Sequence, residues 1–123
     1  MTVLKGSCHC GNVQFEVHTE LRDIVKCNCS LCSRKNALMA QAEPEEFVLV
    51  AGEESLALYQ WNTNVARHYF CKNCGIYTHH WRRSKPCFAY NIACIEGVDK
   101  DSITDFTQVD GRTFSVTQDS NNS

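Results

Sequence analysis

Seven of the nine cysteines in this chain of 123 residues stand in three short-spaced groups. Cys8 and Cys10 lie in Gly-Ser-Cys-His-Cys-Gly, Cys27, Cys29 and Cys32 in Cys-Asn-Cys-Ser-Leu-Cys, and Cys71 and Cys74 in Phe-Cys-Lys-Asn-Cys-Gly, while Cys87 and Cys94 stand alone. Nine thiols leave one over in any disulfide framework, and Cys-x-Cys neighbours on adjacent strand positions rarely reach disulfide geometry. No apolar run approaches the roughly 18–20 residues that span a bilayer, and the amino terminus has no apolar signal-peptide core, so a cytoplasmic location is expected. In that reducing compartment a cysteine-dense chain binds metal or does thiol chemistry rather than being stapled.

Ligand counting divides the thiols. Cys71-x-x-Cys74-Gly75 reads as a zinc-knuckle turn, in which the glycine relieves the backbone and amide N–H groups point at the thiolates. A closed tetrahedral zinc needs two more ligands, and the glycine-flanked pair Cys8 and Cys10 is the economical source. Cys27, Cys29 and Cys32 then remain, and three protein ligands with an open fourth position are the arrangement of catalytic zinc. Two alternatives stay open: a structural site completed by Cys87, Cys94, His79 or His80, and, less well matched in spacing, an iron–sulfur centre. Cys87 and Cys94 lie in the apolar run Cys87 to Ile95 and read as core residues.

The rest of the chain reads as one globular domain, with 43% hydrophobic and 21% charged residues. A net charge of −2 and a pI near 6.2 give no global attraction for nucleic acid, and Arg82-Arg83-Ser84-Lys85 is too short a basic cluster to reverse that. Asn12 to His18 alternates strictly, with Val13, Phe15 and Val17 on one face, as a half-buried strand requires. Further strands are expected over Phe47 to Val50, Leu56 to Trp61, Ala66 to Phe70, Ile76 to Trp81 and Phe88 to Cys94, separated by turn-prone residues. Ser30 to Met39 could form a helical turn or two. A mainly β chain of small antiparallel sheets follows, with residues 1–118 as a single zinc-binding domain and 119–123 as a disordered polar tail.

Together these motifs resemble the family of glutathione-dependent formaldehyde-activating enzymes and centromere protein V. The resemblance runs from Gly6 to about Gly97, through Gly6-Ser7-Cys8-His9-Cys10-Gly11 with Val13-x-Phe15, Cys27-x-Cys29-Ser30-x-Cys32, Phe70-Cys71-x-x-Cys74-Gly75 and Arg83-Ser84-x-Pro86 before Tyr90-Asn91-Ile92-Ala93-Cys94. The segments Asn62 to Phe70 and Arg83 to Pro86 look closer to the centromere-protein branch. The resemblance implies coiled antiparallel sheets of the β-tent type, similar to a Rab exchange factor. It also implies two zinc ions per chain: a structural one on Cys8, Cys10, Cys71 and Cys74, and one on Cys27, Cys29 and Cys32 that meets glutathione and is the more readily lost. Many members carry a glycine a few residues after the third cysteine of the triplet, where this chain reads Ser33-Arg34-Lys35-Asn36-Ala37, so its substrate rim is expected to differ.

The chemistry this implies is a zinc-dependent carbon–sulfur lyase, or the reverse formation of the adduct, acting on glutathione or a similar thiol and a small aldehyde such as formaldehyde. Three thiolates blunt the power of zinc to polarise water and leave it better suited to thiol exchange than to hydrolysis. Arg34 and Lys35, nearest the triplet, are the expected partners for the thiol's carboxylates, although a solvated surface charge is the plainer reading of each. His68, His79 and His80 could handle a proton, but none is singled out, and Trp61, Tyr69, Tyr77 and Trp81 are expected to pack the core. The competing reading is a non-catalytic zinc-stabilised module that binds a protein or an anionic polymer. No membrane partner is expected, and the oligomeric state is open.

Overall fold

The computed structural model describes residues 2–27, 30–60, 66–82 and 86–109. Two sheets are stacked face to face. The smaller has the order β1 (Leu4–Ser7), β2 (Gln14–Val17), β5 (Phe47–Ala51), all antiparallel. The larger has the order β10 (Thr107–Val109), β3 (Val25–Cys27), β4 (Met39–Ala42), β9 (Phe88–Asn91), β8 (Tyr77–Trp81), β7 (Arg67–Cys71), β6 (Leu56–Tyr59). Every pair in it is antiparallel except β10 with β3, which the sequence reading does not anticipate.

The alternation in Val13 to Val17 is realised: Val13, Phe15 and Val17 are buried while Gln14 is exposed. From the inner face of β2, Phe15 and Val17 meet Phe47 of β5, Ala40 and Ala42 of β4, and Tyr90 of β9, which together make the main core. The small residues on β4 let the sheets approach, and the large rings fill the space opposite them. Phe15 stacks on Phe47 with ring centroids 5.1 Å apart, and Phe47 stacks on Phe88 at 4.8 Å.

Three expected boundaries move for identifiable reasons. The helix α1 spans only Ser30–Lys35, because Asn36 adopts a left-handed conformation (φ 51°) that ends it, and Met39 already belongs to β4. The strand expected to run to Cys94 stops at Asn91, whose side-chain oxygen accepts from the Ala93 amide (3.1 Å) and caps a 3-10 turn over Ile92–Cys94. Strand β8 starts at Tyr77 rather than Ile76, since the Ile76 carbonyl is taken by the Cys71 amide (2.9 Å) in the preceding turn. Trp61, Arg83, Lys85 and the tail 119–123 lie outside the described residues.

Candidate metal centre and adjoining cavity

Each sheet contributes one hairpin whose tip carries a cysteine pair. Cys8 and Cys10 sit in the β1–β2 connection, and Cys71 and Cys74 at the β7–β8 connection. In both tips the residue after the second cysteine is a glycine with positive φ, Gly11 at 85° and Gly75 at 81°, a conformation that costs an L side chain about 1–2 kcal/mol. That turn folds the chain back on the thiols. The Cys8 amide donates to Val13 O (3.0 Å), the Val13 amide to Cys8 Sγ (3.3 Å), and the Gly75 amide to Cys71 O (2.7 Å).

As a result the four Sγ atoms of Cys8, Cys10, Cys71 and Cys74 all lie within 4.8 Å of one another. Cys10 Sγ is 3.6 Å from Cys8 Sγ and 3.7 Å from Cys71 Sγ. A disulfide needs about 2.05 Å. A tetrahedron of thiolates on zinc, at 2.3 Å each, places neighbouring sulfurs about 3.8 Å apart. The donor set and spacing therefore fit a tetrahedral thiolate-bound ion, and the cluster could hold a metal.

The surrounding groups tune the thiols unequally. Burial pushes Cys71 up to about 11. Burial also acts upward on Cys74, but N–H groups of Cys10 and Ile76 and the neighbouring thiols Cys71 and Cys10 outweigh it and bring Cys74 down to about 6. The Asn73 side chain, followed by the Asn12 amide, lowers Cys10. Dipoles that favour negative sulfur are thus built into both tips, and sequence alone gives no hint of the part played by Asn73.

The triplet is placed differently. Cys27 is buried at the end of β3, and Cys32 lies in α1. Cys29 is outside the described residues. Beyond them, Leu31 and Lys35, one turn apart on α1, line a cavity of about 230 Å³ together with Tyr59, His68, Phe70, Gly75 and Tyr77. Gly75 and Tyr77 join this cavity to the thiol cluster.

Tyr77, expected in the core, is a half-buried hub instead. Its hydroxyl is hydrogen-bonded to His80 Nδ1 and lies 3.4 Å from His68 Nδ1. Its ring lies under the Lys35 ammonium, 3.6 Å from the centroid. Its carbonyl accepts from Asn91 Nδ2 (2.9 Å) and from the Cys94 thiol (3.7 Å). His68 and His80 face each other across β7 and β8 with centroids 4.9 Å apart. Burial holds His80 far below its ordinary value, so it is neutral.

The remaining expected residues also have clear places. Arg34 is exposed on α1, while Lys35 is inside the cavity. Cys87 and Cys94 are buried as expected, with thiols directed at Gln41 Oε1 (3.8 Å) and Tyr77 O. Burial raises Cys94 to about 12 and keeps it protonated. Tyr69 lines a second cavity, and Trp81 packs edge-on against Phe88 at 5.0 Å. Among the described residues no helix is long and apolar enough to cross a membrane.

Comparison with known proteins agrees with this arrangement. The family model described as glutathione-dependent formaldehyde-activating enzyme matches residues 3–108. The crystal structure of a Rhodobacter sphaeroides protein is similar over 85% of this chain and 99% of its own, with 43% sequence identity and a TM-score of 0.79. The chain belongs to the glutathione-dependent formaldehyde-activating enzyme family.

Proposed function

We propose that this chain makes or breaks the carbon–sulfur bond between a small thiol such as glutathione and a small aldehyde such as formaldehyde, using two zinc ions. Cys8, Cys10, Cys71 and Cys74 would hold the ion that braces the hairpins, and Cys27, Cys29 and Cys32 the reactive one. Residues 1–118 act in this reading as one zinc-braced domain. The observation that carries it is the completeness of the quartet: four thiols within 4.8 Å satisfy a tetrahedral ion without drawing on the triplet. Membership of the family supplies the substrate class.

A zinc ion held by Cys27, Cys29 and Cys32 would supply a site that favours the deprotonated form of an incoming thiol near neutral pH. The chain's own groups account for the rest. Lys35 inside the cavity and Arg34 on α1 supply cations for the carboxylates of the thiol. As the sulfur attacks the aldehyde carbon, the C–S bond forms, the C=O π pair moves to oxygen, and that oxygen takes a proton. Tyr77, which lines the cavity and whose hydroxyl meets His68 and His80, would give it, and the proton released by the incoming thiol would restore the phenol. Neutral His80, with His68 beside it, would orient the hydroxyl. Running the sequence backwards releases thiol and aldehyde with no net redox change.

The test is formaldehyde consumption in the presence of glutathione by anaerobically prepared protein. Thiol-dependent turnover that disappears in Cys29→Ser, with the fold intact, supports the reading. Turnover unchanged in Cys29→Ser, or absent from metal-replete protein, overturns it.

A further inference from the structure

Strand β8 carries an irregularity where Tyr69 pairs with His79 and Phe70 with Tyr77, so Thr78 is an extra residue and Tyr77 shares a side with His80 rather than with His79. His80 is hydrogen-bonded to Tyr77, which lines the cavity beside α1, whereas His79, its neighbour in sequence, lines a separate cavity between the sheets. That second cavity has a volume of about 350 Å³. Phe47, Tyr69 and Phe88 give it aromatic walls, and Leu58 and Glu53 stand at its exposed rim.

Among the described residues that line it, the single buried polar side chain is His79, 4% exposed. Its ring stacks on Tyr69 (4.8 Å between centroids) and lies 4.7 Å from Phe47. Nδ1 is 2.8 Å from Thr78 Oγ1, and the Thr78 hydroxyl is directed to the Tyr69 carbonyl at 3.4 Å. With that hydroxyl proton committed, Nδ1 carries the imidazole proton and donates to Thr78, leaving the lone pair on Nε2. Among the described residues the hydrogen bond found for the His79 side chain runs through Nδ1, and Nε2 is left to the cavity. An unpaired acceptor that opens into an otherwise apolar, ring-lined space is the pattern of a small-molecule site, where one placed polar group orients a hydrophobic ligand.

We infer that this cavity binds a small neutral aromatic alcohol of the phenol class, its ring against Phe47, Tyr69 and Phe88 and its hydroxyl donating to His79 Nε2. The volume is at the low end for ligand pockets, which suits one ring system. Among the described residues no lysine or arginine lines it, and the Glu53 carboxylate at the rim disfavours anions, so a neutral donor fits and a carboxylate does not. Burial keeps the imidazole uncharged across the physiological range. The site is on the far side of β8 from α1 and stands whether or not the triplet is catalytic.

The experiment is an NMR titration of the full chain with p-cresol, and in parallel with toluene, which has the same ring and methyl group but no hydroxyl. Saturable p-cresol binding is expected, with shifts concentrated at Leu58, Tyr69, His79 and Phe88. His79→Phe should weaken p-cresol by about fivefold to tenfold, the worth of one neutral hydrogen bond, and leave toluene within about twofold. Leu58→Trp, a change at an exposed rim position, should block both ligands and keeps the test decisive if His79→Phe fails to fold. Absence of saturable binding, equal weakening of both ligands by His79→Phe, or shifts centred on Lys35 and Tyr77 would overturn the inference.

Discussion

The hairpin tips and the cavity beside α1 adjoin each other across Gly75 and Tyr77, yet they are built by different means. At the tips the backbone does the placing. Two positive-φ glycines and short N–H contacts bring four thiols within 4.8 Å, and each pair is fixed by residues within five positions of it. Beside α1, side chains place one another. Lys35 comes from a helix, His68 from β7, and Tyr77 and His80 from β8, and the Tyr77 ring and hydroxyl hold them in register. A site set by local backbone tolerates changes around it and fails when its own ligands change; a site set by mutual side-chain contacts loses function long before it loses fold.

The largest expected effect comes from cutting the first. Cys71→Ser removes a buried thiol from the cluster that links the two sheets, and because structural zinc binding is coupled to folding, the melting temperature should fall by more than about 15 °C or cooperative unfolding should vanish. Thermal denaturation followed by circular dichroism measures it. Cys29→Ser should shift melting by less than about 5 °C in the same assay. A comparable loss in both would erase the distinction between the regions.

Acid tests a third place, the cavity lined by His79 on the other side of β8. Burial lowers His79 from its ordinary 6.5 to about 4, so it must stay neutral in the folded state. Above pH 6.5 folded and unfolded chains both carry it neutral and there is no penalty. Between 6.5 and 4 only the unfolded chain takes up the proton, so stability falls with pH, by about 3 kcal/mol in all, and below 4 the loss levels off. Urea denaturation across that range should show the slope in the parent protein and a shallower one in His79→Phe. The slope that remains comes from other shifted groups, His80, Cys74 and Glu46 among them.

Tyr77→Phe sharpens the comparison from the other side. It keeps the ring under Lys35 and removes the hydroxyl shared with His68 and His80. Turnover with glutathione and formaldehyde should drop about 100-fold in kcat with KM nearly unchanged, and metal content should not change. A KM effect alone would assign Tyr77 to binding instead. The smallest effect is Gly75→Ala, where φ of 81° is unfavourable but nothing lies within 4 Å of the added methyl group; about 1 kcal/mol of stability should be lost, without loss of metal.

How much of this the chain discloses in advance follows the same division. The thiol quartet is legible because the ligands of each hairpin are two or three residues apart and a glycine marks each turn. Strand β2 is legible because its inner face is unbroken from Val13 to Val17. By contrast β4, with the sequence Met-Ala-Gln-Ala, has little strand propensity and is held in the sheet by β9 on one side and β3 on the other. Strand β10 is three residues long and pairs with β3 across some eighty positions of sequence. The hub role of Tyr77 and the opposite facing of His79 and His80 depend on strand register, where a shift of one residue exchanges the two faces.

The account rests on the sorting of seven thiols into a quartet and a triplet, and metal stoichiometry of anaerobically purified protein measures that sorting directly. It predicts two zinc ions per chain, one in Cys29→Ser with the strand-rich circular dichroism spectrum retained, and loss of the folded spectrum in Cys71→Ser. A single ion in the parent chain that Cys29→Ser and Cys71→Ser release alike, with the same loss of structure, would contradict it.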